Sequence, residues 1–121
     1  MTIQKKQPKI DCWLIDPDFR IVKHCNLIPD EETIREWLQC ESYKEVDLVW
    51  PVHTKLIVRD DASELPAFRF MKLDETIRGR ALVISTDADK DEPINTLLRG
   101  KDILSLISFL TNNTDNSKKH G

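Results

Sequence analysis

Gly79-Arg80-Ala81-Leu82-Val83-Ile84-Ser85-Thr86-Asp87-Ala88-Asp89-Lys90-Asp91-Glu92 is an apolar run that opens directly into a cluster of carboxylates. The run is too short for a membrane span and rich in β-branched residues, and it is bounded by glycine and by charge. Those features predict a strand. Its apolar residues occupy both alternating phases, so the strand should lie in the interior of a sheet, with neighbours on either side.

Working outward, Ile10-Asp11-Cys12-Trp13-Leu14-Ile15 and Phe19-Arg20-Ile21-Val22-Lys23 flank Asp16-Pro17-Asp18. Asp at the first turn position and Pro at the second suit a type I turn, so the two segments predict a β-hairpin. Pro29-Asp30-Glu31-Glu32 opens a helix, with Asp30 placed as the N-cap and Ile34, Trp37 and Leu38 forming one apolar face that ends near Cys40. Val46, Leu48 and Trp50 alternate with acids and are followed by Leu56-Ile57-Val58, predicting a second strand pair over about residues 45–59. Phe68 and Phe70 mark another strand. Ile103, Leu106, Ile107 and Leu110 recur at helical spacing and predict a C-terminal helix beginning near Gly100.

The order of elements predicts an α+β fold, a two-layer domain with a mainly antiparallel sheet of about six strands and two helices. A chain of 121 residues is the size of one domain. Residues 1–9 and 112–121 are polar and aperiodic and read as flexible tails, leaving a single domain over residues 10–111. With no long apolar segment and no leader-like stretch behind Lys5, Lys6 and Lys9, a cytoplasmic protein without membrane association is expected.

The net charge is −3, and Asp87, Asp89, Asp91 and Glu92 less Lys90 supply all of it. The remainder of the chain is neutral, which argues against a duplex nucleic-acid binder. The exception would be a site made from the basic tails, Lys5, Lys6 and Lys9 together with Lys118 and Lys119. Asp87, Asp89 and Asp91 hold positions 1, 3 and 5 of a calcium-loop pattern, but Glu92 replaces the turn glycine and Leu98 the terminal glutamate. No metal site is expected, and the loop reads as a solvated acidic patch. Cys12, Cys25 and Cys40 are spaced 13 and 15 apart, matching neither a disulfide framework nor a zinc motif. No cofactor-binding glycine motif occurs. A hydrolase using Cys25, or acidic residues with a metal, is the enzymatic alternative. Trp13, out of phase with Cys12 and Leu14, is a candidate surface aromatic unless the sheet is covered on both faces.

The segments Trp13-Leu14-Ile15-Asp16-Pro17, Arg20-Ile21-Val22 and Gly79-Arg80-Ala81-Leu82-Val83 with Thr86-Asp87 resemble small uncharacterised proteins encoded by bacteriophages, plasmids and integrated mobile elements. The likeness spans about residues 10–110. It implies an accessory protein of a mobile element, in a context where host-interaction and defence-modulating roles are common. Taken together, these readings lead to the expectation of a non-catalytic protein-binding or regulatory module. It would work without catalytic residues or cofactors and meet a protein partner through Asp87, Asp89, Asp91 and Glu92. Self-association is left open.

Overall fold

The computed structural model describes residues 8–48, 53–60, 65–71, 73, 75–90 and 92–110. The described elements are β1 (Ile10–Asp16), β2 (Ile21–Leu27), α1 (Glu31–Leu38), β3 (Tyr43–Leu48), β4 (Thr54–Arg59), β5 (Ala67–Phe70), β6 (Glu75–Arg78), β7 (Ala81–Thr86), β8 (Pro93–Ile94), α2 (Gly100–Leu104) and β9 (Ile107–Phe109). Six strands form one antiparallel sheet with the path β2-β1-β7-β4-β3 and β8 paired to β7. The α+β class with a mainly antiparallel sheet is therefore the observed one. A second, three-stranded sheet, β6-β5-β9, was not legible in the sequence.

β7 lies between β1 and β4, and all six of its residues are buried. Its two phases serve two cores. Leu82 and Ile84 join Ile10, Cys12, Leu14, Ile57 and the helical Ile34 and Leu38 on the α1 face. Ala81 and Val83 join Ile15, Leu56, Val58 and the second sheet's Phe68, Phe70, Ile77 and Ile107 on the other. The sheet is thus covered on both faces, which explains an apolar strand without alternation.

The hairpin, the N-cap and the strand pair expected over about residues 45–59 all form, with two shifts: Phe19 and Arg20 belong to the turn, residues 17–20, and not to the second strand, and β3 begins at Tyr43. Asp30 Oδ1 accepts the Thr33 N–H at 2.8 Å, and Glu31 pairs with Arg35 at 2.7 Å one turn on. The predicted C-terminal helix is corrected. α2 stops at Leu104, Ile107–Phe109 is a strand on β5, and Leu110 is exposed. Ile107 and Phe109 alternate with Ser108, and the open edge of β5 supplies a ladder: Met71 N–H donates to Leu106 O at 2.9 Å and Leu110 N–H to Ala67 O at 3.0 Å. Tertiary pairing outweighs a helical spacing of four apolar residues. Trp50, Asp91, the C-terminal tail and the N-terminal tail apart from Pro8 and Lys9 lie outside the described residues.

Candidate binding surface

One end of the main sheet carries a row of side chains on the face that α1 covers. The registers place Asp16 opposite Ile21, Ile15 opposite Ala81, Val58 opposite Ala81, and Tyr43 opposite Arg59. Extending each ladder by one residue gives the order Ile21, Asp16, Arg80, Arg59, Tyr43 across five strands or their immediate ends. The row sits just beyond the C-terminus of α1, and that position dictates its chemistry.

The last carbonyls of a helix lack intrahelical donors and carry partial negative charge. Arg80 Nη1 donates to Trp37 O at 3.1 Å and Arg59 Nη1 to Leu38 O at 3.3 Å. Gln39 closes the helix in the left-handed conformation, φ 58°, its N–H donating to Arg35 O and Glu36 O. Two arginines from distant strands therefore finish α1. Arg80 also reaches Asp16, Nη2 to Oδ2 at 3.5 Å, where the carboxylate is almost wholly buried.

Asp16 in turn organises the hairpin loop. Its Oδ1 accepts the N–H groups of Asp18 at 3.0 Å and Phe19 at 3.4 Å. Arg20 then takes a left-handed φ of 58° to re-enter β2. The chain of contacts runs from the helix carbonyl through Arg80 and Asp16 to the turn, so the turn is fixed from beneath. On that fixed turn Phe19 is 69% exposed, and Ile21 beside it is 44% exposed. A cleft of about 140 Å³ opens against the preceding residues of the same turn, lined by Asp16, Pro17, Asp18, Arg59, Pro66 and Arg80 among others.

The remaining predicted sites fall elsewhere. Asp87, Asp89 and Glu92 lie on the loop joining β7 to β8, roughly 20 Å along β7 from Arg80. Asp87 Oδ1 accepts the N–H groups of Asp89 at 2.8 Å and Lys90 at 3.2 Å, which holds its carboxyl below the usual range. Asp87 therefore shapes the loop, while Asp89 and Glu92 are exposed. Trp13 is half-buried on the second-sheet face, its indole N–H donating to Leu98 O at 2.9 Å and its ring meeting His24 edge-on. Cys12 and Cys25 are buried beneath α1 and Cys40 is half-buried against the same core. Burial pushes the Cys12 thiol up to about 12 and raises that of Cys25. Those two are therefore poor nucleophiles at neutral pH.

The sequence reading missed Phe19, Ile21, Arg59 and Arg80 as a group. A large aromatic directly after Asp-Pro-Asp was the available signal for Phe19. No local signal pairs Arg80 with a helix end 43 residues earlier. No helix among the described residues is long and apolar enough to cross a membrane. Comparison with protein-family models, with curated proteins and with solved structures finds no match.

Proposed function

We propose that this protein is a non-catalytic binding module that docks a protein partner through the β1–β2 turn. In keeping with the resemblance of its strands to mobile-element proteins, it would act as a cytoplasmic accessory factor. The observation that carries the reading is Phe19, 69% exposed on a turn fixed by Asp16. An aromatic carried on backbone that is ordered before contact costs less freedom on binding than one on a loose loop, and aromatics are enriched at the centres of interfaces. Ile21 extends the apolar contact, and the cleft against Pro17 and Asp18 of the same turn offers polar groups. The acidic loop at the far end of β7 forms a separate electronegative surface, suited to steering a basic region of the same partner.

The test compares capture of proteins from the source cell by the native chain and by Phe19→Ser. Phe19 makes no part of either core, so the variant is expected to melt at the native temperature and to lose the specifically retained protein. Equal retention by both chains would refute the reading.

A further inference from the structure

We propose that Cys12 and Cys25 are a disulfide-forming pair, set opposite each other across the β1–β2 hairpin on the face beneath α1. The register fixes the spacing. Asp11 N–H donates to Asn95 Oδ1 and Asp11 O accepts the Thr96 N–H, both at 2.8 Å, with Asn95 and Thr96 following β8 on the side of β1 away from β2. Backbone groups alternate in direction along an antiparallel strand, so those of Cys12 face β2. Cys12 and Cys25 are therefore a hydrogen-bonded pair, whose Cα atoms stand about 5.5 Å apart. Disulfides span Cα separations of about 4.4–6.8 Å and favour values near this one.

Both side chains point to the same core; Cys25 Sγ donates to Lys23 O at 3.6 Å and accepts the Leu14 backbone N–H, contacts that a rotation of the thiol toward Cys12 must give up. Cys40 packs against that core from beyond the C-terminal end of α1, in line with the other end of the sheet. The topology therefore selects one pair from three thiols.

The oxidant is a low-molecular-weight disulfide. Cys25, on the edge strand, attacks as its thiolate and releases one small thiolate, leaving a mixed disulfide on the protein. Cys12, deprotonated in turn, attacks Cys25 Sγ and releases the second small thiolate. Two protein thiols are oxidised, one small disulfide is reduced to two thiols, and the two protons pass to the released thiolates. Burial makes the first step slow, because β2 must open at the sheet edge for the oxidant to enter. The product ties the two strands of the hairpin across the loop that presents Phe19.

The full chain is equilibrated with oxidised glutathione at mildly alkaline pH, its free thiols are blocked, and tryptic peptides are read by mass spectrometry. Trypsin separates the cysteines onto Ile10–Arg20, His24–Arg35 and Glu36–Lys44. The expected product is Ile10–Arg20 joined to His24–Arg35, lighter by two hydrogen atoms than the sum, in a chain that still melts cooperatively. Cys12→Ser and Cys25→Ser should each abolish the linked peptide. Absence of the link at equilibrium, a bridge to Glu36–Lys44 instead, or a linked chain that no longer melts cooperatively would overturn the proposal.

Discussion

Trp13 occupies the space where a side chain on Gly100 would begin: Cη2 and Cζ3 of its ring lie 3.2 Å from an ideal Cβ built there. The contact seats the first residue of α2 on β1 and sets the path of the chain into β9. Gly100→Ala should be tolerated with a small loss, because the ring need yield only a few tenths of an ångström. Gly100→Val should lower the melting temperature clearly more. Trp13→Phe leaves Leu98 O without its donor and should cost about 1 kcal/mol. Denaturant melts of the three variants check the order.

Arg80 and Asp16 should behave as a unit. Arg80→Met leaves a nearly buried carboxylate without its cation, and loss of one partner from such a pair costs about 3–5 kcal/mol when both are fully buried. Arg80 retains 26% side-chain exposure, so the lower part of that range is expected. Adding Asp16→Asn should recover part of the loss, because the charge is gone and the amide oxygen still accepts the turn N–H groups. A double-mutant cycle by denaturant titration measures the coupling, and strict additivity would show that the pair is not linked.

For the C-terminal region, Ile107→Ala should cost about 2–4 kcal/mol as a truncation inside the second core. Leu106→Ala should cost less, because Leu106 is half-buried in the turn before β9. A continuous helix would make the two comparable. Thermal melts of both variants discriminate these arrangements.

Most of the main sheet was legible because local chemistry and final structure agree there. Asp16-Pro17-Asp18 turns as its residues require, Asp30 caps as expected, and the two phases of β7 meet two cores. Trp13 signalled the second covered face through its phase. What stayed hidden depends on long-range partners. Ile103, Leu106, Ile107 and Leu110 fit one helix, while Ile107-Ser108-Phe109 fits a strand equally well, and only the edge of β5 decides between them. The row linking Asp16, Arg80 and Arg59 exists only once strands far apart in sequence come into register.

Stability should decline on the alkaline side. The Cys12 thiol rises from an ordinary 9.0 to about 12 on folding, chiefly because burial disfavours the thiolate. Above pH 9.0 the unfolded chain sheds that proton first, so it binds fewer protons than the native state and stability falls as pH rises toward 12. Cys25 adds in the same direction. Cys12→Ala should be less stable at neutral pH but show a flatter alkaline limb. Urea midpoints measured at stepwise increasing pH give both slopes, and equal slopes would show that the Cys12 thiol does not contribute to the alkaline loss of stability.

The docking surface is tested most directly by photo-crosslinking with a benzophenone side chain placed singly at Phe19, at Asp89 on the acidic loop, or at Ser108 on the outer face of the second sheet. All three positions are exposed, so each variant should fold natively. Irradiated in extract of the source cell, the chain substituted at Phe19 is expected to give one discrete adduct that Ser108 does not give, with weaker capture of the same protein from Asp89. Adducts of equal yield from Phe19 and Ser108, or a discrete adduct from Asp89 with none from Phe19, would contradict docking through the β1–β2 turn.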